Sequence, residues 1–289
     1  PLATGVLGVA GCASGSAPSG TASVAASVTL ARTAAETAPS PDPHVGLEAG
    51  LFDAEEAIWN LSLVSTTPPP EDFVGMTNSD LAFKDQYAIQ GNYNGVQIWN
   101  IEDPRQPLLV TGFVCPASQS DVSVYGDLLF VSSLGFGGIG AVWVFERDGS
   151  GPFVERATLQ PESPAEREFF GWGLSYNGEK LIVGSFAGEA ATGAAYIFSR
   201  DDTGNWFQET RLALPEGESR PTDIGLPGSP GAGAIGVGWF QGMALLGLPG
   251  RDDMEGAVYT YTYRPLTGDW VRGTTLSAFD RRPYTFFGH

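Results

Sequence analysis

The sequence predicts an all-β protein assembled from repeated four-stranded antiparallel units. Its 289 residues include 39 glycines and 21 prolines, a composition typical of many short strands joined by tight turns. Apolar residues make up 42% of the chain, which is enough for a substantial core. A glycine followed by β-branched or aromatic residues recurs at Gly95, Gly140, Gly193 and Gly256. Repeats at this spacing, with loops of variable length, indicate a β-propeller.

Each glycine-led segment is expected to be the third strand of its unit, over 95–99, 140–145, 193–198 and 256–261. A short apolar run precedes each one and predicts the second strand, over 87–90, 129–132, 181–184 and 244–247. Short β-branched and aromatic runs between turn residues are typical of strands.

The first and fourth strands complete the unit. Leading strands are predicted at 79–82, 120–123, 170–173 and 235–238. In the last three units a polar turn is followed by a strand that runs from an aromatic residue to a leucine, over 153–159, 206–212 and 270–276. The sequence therefore predicts about four complete blades.

The two ends of the chain differ from the repeats. Residues 1–43, rich in small residues and proline, are expected to be the remnant of an export signal followed by a flexible tether. Residues 44–133 and 134–289 are expected to form two related kinds of blade. Residues 286–289 repeat the opening seen at 169–171, so we expect a fifth unit to begin there, as in a fragment of a larger ring.

Charge and hydropathy limit the partners of the protein. The chain has 15 basic and 33 acidic residues, a formal net charge of −18, so its field repels phosphate backbones and anionic lipid headgroups. Nucleic acid is therefore not an expected partner. Outside the amino-terminal segment, no apolar run is long enough to predict a membrane-spanning helix.

The two cysteines are too few and too far apart to predict a disulfide framework or a zinc site. Cys115 is expected to be a small buried residue. Cys12 ends the run 9–12, which resembles a bacterial lipoprotein signal. The resemblance implies lipidation at Cys12 and a cell-envelope or extracellular location, with the lipid as the only membrane contact. A low-complexity leader is the alternative.

Two repeat families are similar to this chain. Phe170 and Gly171, with 184–186 and 247–249, resemble FG-GAP repeats, the blade motif of integrin-type propellers. The segments 79–83 and 95–101, with Asp103 and Pro104, resemble LVIVD repeats of bacterial secreted proteins. Both resemblances imply propeller blades and neither implies a ligand, because propellers host many unrelated functions.

Integrin-type blades often hold calcium in an acidic loop between their second and third strands, and no such motif is complete in this sequence. The weak calcium candidate is the cluster Asp252, Asp253 and Glu255. A solvated acidic turn is the alternative interpretation, and no cofactor other than calcium is considered.

Catalytic motifs are sparse. His44 and His289 are the two histidines of the chain, and no nucleophile elbow or zinc-protease motif occurs. Two glycine-rich strings, 135–140 and 231–236, lead into predicted strands, whereas a dinucleotide fold needs them between a strand and a helix. These observations argue against hydrolysis by serine or zinc and against nucleotide binding.

Asp80 and Asp121 are the candidate ligand-facing residues, because each follows a serine at the start of a leading strand. They face the mouth of the central channel in one interpretation and cap backbone N–H groups at a turn in the other. Aromatic columns at Trp143, Tyr196 and Tyr259 are expected to pack between sheets.

The sequence therefore favours a non-catalytic binding or adhesion module that recognises an extracellular protein or glycan. The first alternative is an extracellular hydrolase or lyase that acts on polysaccharide through channel carboxylates. The second is a structural component of the cell surface.

Overall fold

The structure is a computed structural model that describes residues 13–15, 39–50, 55–116, 120–133, 138–149, 151–164, 168–185, 194–214, 236–249, 251–280, 282 and 287–288.

Four antiparallel sheets follow one another along the chain, and each keeps its strands in sequence order. A short strand, β1 (Ala13–Gly15), pairs with the outer edge of blade 1, which consists of β2 (Asn78–Lys84), β3 (Tyr87–Asn92), β4 (Gly95–Asn100) and β5 (Leu108–Val114). Blade 2 consists of β6 (Ser120–Tyr125), β7 (Leu128–Ser133), β8 (Ala141–Glu146) and β9 (Val154–Leu159).

Blade 3 consists of β10 (Gly173–Tyr176), β11 (Lys180–Gly184), β12 (Ala194–Arg200) and β13 (Trp206–Ala213). Blade 4 consists of β14 (Gly236–Phe240), β15 (Met243–Leu248), β16 (Ala257–Arg264) and β17 (Asp269–Leu276). A single helical turn, α1 (Arg251–Met254), lies between β15 and β16. The predicted all-β propeller architecture is confirmed. The repeat pattern in the sequence did not predict β5, the fourth strand of blade 1, because that strand does not start with an aromatic residue.

The middle strands of the blades are buried on both faces. All six residues of β7 are buried, as are the first five of β8 and the first six of β12. Such strands are almost continuously apolar because a neighbouring blade covers each side of the sheet. The outer strands β9 and β17 are mostly exposed, as expected at the rim.

Three apolar clusters fill the spaces between successive blades. Ile89, Val96 and Ile98 of blade 1 pack against Val131 and Trp143 of blade 2. The second cluster joins blades 2 and 3, and the third joins blades 3 and 4. The core is therefore a series of interfaces between blades, and the position of each blade depends on its neighbour.

A glycine marks the junction where one blade passes to the next. Gly140 forms an isolated parallel bridge with Phe170, and a Cβ at Gly140 would lie 2.0 Å from the Phe170 carbonyl oxygen. Because φ at Gly140 is +79° and a Cβ there would be too close to Phe170, both the backbone conformation and the available space require glycine at this position. Gly256 repeats the contact with Phe287. The repeat of contacts therefore continues past blade 4, while a fifth unit stays a prediction.

The predicted boundary between residues 133 and 134 falls between β7 and β8, which pair in one sheet. Blade 2 thus takes its inner strands from one predicted segment and its outer strands from the other. Most of the predicted tether, 1–43, lies outside the described residues. In the described part of the chain, no helix has the length and apolar character needed to cross a membrane.

Cys115 follows directly after β5 and is buried, as expected. It is also disulfide-bonded, a role that the spacing of the cysteines in the sequence did not predict.

Candidate functional site

The inner strands of the four blades, β2, β6, β10 and β14, run side by side in the same direction. Ser79 at the start of β2 contacts Ser120 at the start of β6. At the opposite end, the rings of Tyr125 and Tyr176 lie 5.0 Å apart, and Trp239 Nε1 donates to the Ser175 carbonyl oxygen. We therefore distinguish an entry mouth, where the inner strands begin, from an exit mouth, where they end.

The two mouths differ in chemistry. The exit mouth carries aromatic side chains at the strand ends, namely Phe83, Tyr125, Tyr176 and Phe240. The entry mouth is polar in blades 1 and 2, with Asn78, Ser79, Asp80, Ser120 and Asp121, and has glycine in blades 3 and 4, with Gly173 and Gly236. The inner strands of blades 1 and 2 thus begin with polar side chains, whereas those of blades 3 and 4 begin with glycine.

Asp80 ties blade 1 to blade 2. Its Oδ1 accepts the Leu81 N–H at 2.7 Å and its Oδ2 accepts the Val122 N–H at 3.0 Å. The Ser79 hydroxyl donates to the Ser120 carbonyl oxygen at 2.6 Å. An inner strand has a free edge whose N–H and C=O groups need partners, and these two side chains supply them. Asp80 therefore has the contacts of a backbone cap.

Asp121 has a different environment, although it too follows a serine. The pairing of β6 with β7 is continuous, with Ser120 opposite Ser133 and Asp121 opposite Ser132. Successive side chains alternate between faces. Ser120 therefore lies on the face of Val122, toward blade 1, and Asp121 lies on the opposite face, toward blade 3. The half-buried Asp121 is placed at the entry mouth where blades 2 and 3 meet.

Two buried hydroxyls at the entry mouth have no hydrogen-bond partner in the part of the chain that the structure describes. They are those of Ser120 and Ser133, which are 0% and 1% exposed and lie directly opposite each other on β6 and β7. Buried hydroxyls normally have partners. This pair therefore has hydrogen-bonding capacity, on the blade 1 face of the sheet, that the described residues do not use.

A buried carboxylate on the entry side was not anticipated from the sequence. Glu168, in the segment before β10, is 3% exposed and accepts a hydrogen bond from the Tyr196 hydroxyl. Arg211 Nε donates to the same hydroxyl at 3.3 Å. Burial, followed by the Glu168 hydrogen bond, raises the pKa of Tyr196 to about 12. The phenol therefore stays protonated and acts as a donor to Glu168.

The sequence feature that could have indicated the contact between Tyr196 and Glu168 is the tyrosine at position 196 in the column of aromatic residues. Trp143 and Tyr196 are equivalent and both buried, which confirms the expected packing between sheets. A buried tyrosine hydroxyl needs a hydrogen-bond partner, so a partner for Tyr196 could be expected. Its identity could not, because Glu168 lies in a loop whose sequence has no periodic pattern. Sequence spacing could therefore predict the column but not the carboxylate.

The exit side is joined by charged contacts. Arg147, whose side chain is 4% exposed, pairs with Asp85 of blade 1 and with Asp127 at 3.1 Å. Its guanidinium also lies over the rings of Tyr87 and Phe153. The hydrogen bond from Arg147 holds the pKa of Asp85 below its usual range. These groups satisfy one another, which favours a structural role.

Blades 3 and 4 are joined by a second polar contact of this kind. Glu209 accepts hydrogen bonds from Lys180, from the Ser199 hydroxyl and from Trp270 Nε1 at 2.9 Å. Burial alone would raise the pKa of Glu209, but these hydrogen bonds outweigh it and hold the pKa below its usual range. Glu209 is therefore a charged structural link at the blade 3 and blade 4 boundary.

The weak calcium candidate lies in and beside α1. Asp252 Oδ2 lies 3.3 Å from Arg251 Nε, and the Glu255 N–H donates to the Asp252 carbonyl oxygen at 3.0 Å. The side chain of Asp253 lies outside the described residues, as does Cys12. Among the described residues, no group of three His, Cys, Asp or Glu side chains is arranged to hold a metal ion. Calcium binding stays a prediction.

No protein-family model and no curated protein sequence matches the chain. Solved structures do resemble it. A periplasmic gluconolactonase from Pseudomonas aeruginosa matches at 16% identity and a TM-score of 0.46, over 71% of this chain and 55% of that one. A Bacteroides uniformis protein with a provisional 6-phosphogluconolactonase assignment matches at 12% identity and a TM-score of 0.47, over 70% and 55%.

The native arabinanase of Bacillus subtilis matches at 10% identity and a TM-score of 0.32, over 70% of this chain and 76% of that one. The chain thus spans about half the length of the two lactonase-type structures. The resemblance to FG-GAP and LVIVD repeats has no matching family model behind it.

The functional expectation requires correction. The sequence favoured a non-catalytic binding or adhesion module and no enzyme, but the similar structures include a gluconolactonase and an arabinanase. The expectation rested on the lack of histidine and serine motifs. That criterion fails for enzymes whose reactive groups are carboxylates contributed by different blades.

Proposed function

We propose that the chain is an exported propeller enzyme, a hydrolase or lyase that acts on polysaccharide with Asp121 at the entry mouth as a reactive carboxylate. The observation that carries the proposal is the contrast between the two mouths. Asp80 and Asp121 lie beside serines at the entry mouth, where β2 and β6 begin, whereas aromatic side chains lie at the exit mouth, where the inner strands end.

The arrangement suits a substrate rich in hydroxyl groups. Gly173 and Gly236 contribute no side chain at the starts of β10 and β14. Asp121, half-buried at the start of β6, supplies a carboxyl group on the blade 2 side of the same mouth. Sites for small polar ligands combine open space with a few fixed polar groups.

The carboxylates of the entry side have different roles in this proposal. Asp80 holds two backbone N–H groups and is a positioning residue that fixes β6. Glu168, which accepts the Tyr196 hydroxyl, is buried at the same blade boundary as Asp121. Cleavage of glycosidic bonds uses a pair of carboxyl groups, one as acid and one as base or nucleophile. We assign the base or nucleophile role to Asp121.

The finer resemblances belong to this proposal as well. Phe170 is fully buried and Gly171 has φ at +102°, which supports an FG-GAP type of junction between blades 2 and 3. Asp103 Oδ1 accepts the Arg105 N–H at 3.0 Å in the loop after β4, and this turn supports an LVIVD type of blade 1. Export is supported by the disulfide at Cys115, because disulfides persist in oxidising compartments.

The test is an assay of the purified chain against a panel of neutral and acidic polysaccharides. New reducing ends would identify either reaction, and an unsaturated product would distinguish a lyase from a hydrolase. We expect Asp121→Asn to lower kcat by about 100-fold or more, as for loss of a general base. Asp148→Asn, in an exposed turn on the exit side of the same blade, is the matched control. Turnover that survives in Asp121→Asn would contradict the assignment.

A further inference from the structure

We infer that blade 4 of one copy of the chain packs against blade 1 of a second copy. Each boundary inside the chain joins one face of a blade to the opposite face of the next blade. This series leaves two faces without a neighbouring blade among the described residues. We call them the leading face, on the side of blade 1 away from blade 2, and the trailing face, on the side of blade 4 away from blade 3.

The leading face has apolar side chains at positions that are buried in the next blade. Strand pairing puts Phe83 and Trp99 in one row across blade 1, and the equivalent row of blade 2 ends at Phe145. Phe145 is buried, whereas Trp99 is half-buried and Phe83 is 61% exposed. Two residues nearer the start of each inner strand, Leu81 is 49% exposed while Val122 is buried. Exposed apolar residues grouped on one face indicate an interaction surface.

The trailing face of blade 4 is less covered than the same face of the other blades. Leu245 pairs with Gly238 and Thr260 in the middle of the sheet. Its equivalents Phe130 and Ile182 are fully buried, because the next blade covers them. Leu245 is only half-buried, and a Cβ at Gly238 would meet nothing within 4 Å. The trailing face therefore has space beside a residue that belongs in a core.

The ends of the inner strands show which surface fits the trailing face. At the boundary of blades 2 and 3, Tyr125 and Tyr176 meet edge to face at 5.0 Å. Phe240 has the place of Tyr125, since each pairs with the first residue of the next strand. Phe83 has the place of Tyr176, since each pairs with the second residue of the next strand. A junction of blade 4 with blade 1 therefore repeats this ring contact with two phenylalanines.

The two faces are not closed on each other within one chain. β2 packs beside β6, and β14 packs beside β10 and β11, while Phe83 and Phe240 stay 61% and 55% exposed. A second copy offers the matching face to each. Such head-to-tail contacts form a closed ring when the rotation between copies allows it. Two copies give eight blades, within the range typical of propellers, and each copy then completes the channel mouths of the other.

The experiment is gel filtration with light scattering on the 289-residue chain, which we expect to have twice the mass of one chain. Phe83→Arg and Phe240→Asp should each halve that mass, because each puts an unpaired charge into both junctions. Mixed in equal amounts, the two variants should regain the double mass, since one junction is then unaltered and the other pairs Arg with Asp. Phe207→Asp, at an exposed phenylalanine of the outer strand β13, is the control and should keep the double mass.

Four results would overturn the inference. A monomeric wild type would show that no second copy covers the faces, and a mass that keeps rising with concentration would show that the contact does not close. A double mass kept by either single variant, or a mixture that stays monomeric, would show that other surfaces associate. Circular dichroism checks that each variant is folded, which we expect because both rings are more than half exposed. None of these results depends on turnover, so the inference and the proposed function can fail separately.

Discussion

The boundary between blades 1 and 2 and the boundary between blades 2 and 3 start from the same dipeptide and differ in structure. Ser79 and Asp80 both reach the backbone of β6. Ser120 and Asp121 occupy the equivalent places one blade later, yet the Ser120 hydroxyl has no partner among the described residues. The same residues in the same repeat position thus make a structural cap in one blade and do not repeat that cap in the next.

The difference is caused by strand register. The pairing of β2 with β3 is irregular between Asn78 and Leu81, whereas β6 and β7 pair without interruption. An irregularity of this kind redirects side chains that strict alternation would place on opposite faces. It lets both Ser79 and Asp80 reach blade 2, while Ser120 and Asp121 point to different neighbours.

The exit side shows a parallel contrast in burial. Arg147, at the first boundary, has a side chain that is 4% exposed. Arg200, at the second boundary, contacts Glu146 at 3.3 Å with side chains that are 30% and 29% exposed. Charged contacts that are open to water contribute little, so we expect the first boundary to depend more strongly on its charged contact.

The largest expected effect comes from the close backbone contact at the first boundary. A Cβ on Gly91 would lie 2.0 Å from the Ser120 carbonyl oxygen, so Gly91→Ala must push β3 away from β6. We expect a loss of about 3 kcal/mol in the free energy of unfolding, because overpacking against backbone is not easily relieved. Gly238→Ala in β14, where a Cβ meets nothing within 4 Å, is the control. Urea denaturation of both variants measures the difference, and equal midpoints would contradict the packing account.

The next effect separates the two arginines. Arg147→Leu removes a buried guanidinium from two carboxylates and two rings, and we expect it to cost about 2 kcal/mol. Arg200→Leu should cost about 0.5 kcal/mol, because its pair is partly exposed. Thermal unfolding at low and high salt provides the measurement. If the two variants lose the same stability, the burial contrast does not explain the boundaries.

A smaller effect is expected from pH. The pKa of Asp85 is lowered in the folded protein by the hydrogen bond from Arg147. A depressed carboxyl pKa stabilises the fold fully above the unfolded value of 3.8, and this contribution is lost as pH falls through the lower folded value. As the pH falls below 3.8, the melting temperature of the wild type should therefore decrease more steeply than the melting temperature of the Asp85→Asn variant. Identical slopes would show that the contact does not stabilise the fold.

The smallest effect compares the two serines of the repeat. Ser79→Ala removes the donor to the Ser120 carbonyl oxygen and should cost about 1 kcal/mol. Ser120→Ala removes a buried hydroxyl that has no partner among the described residues, so the stability of this variant should be unchanged or slightly higher than that of the wild type. Chemical denaturation under identical conditions compares them. A loss in Ser120→Ala as large as that in Ser79→Ala would show that its hydroxyl has a structural partner.

The sequence predicted the parts of the fold that repeat. The glycine-led strands and the Phe170 and Gly171 junction follow from residue type and spacing, since a strand and a glycine contact are local features. The direction of Asp80 depends on an irregular pairing that residue spacing does not show. Glu168 contacts Tyr196 of a different strand and Cys115 is disulfide-bonded, and neither contact is a periodic feature that the repeat pattern could predict.

The most direct test of the account compares Asp80→Asn and Asp121→Asn in one experiment that measures both melting temperature and turnover of a polysaccharide. We predict that Asp80→Asn lowers the melting temperature and keeps most of kcat, because Asp80 fixes the backbone of β6. Asp121→Asn should lose about 100-fold or more in kcat at a temperature where the variant is fully folded. A stable, fully active Asp121→Asn, or a loss of kcat confined to Asp80→Asn, would contradict the assignment of the entry mouth.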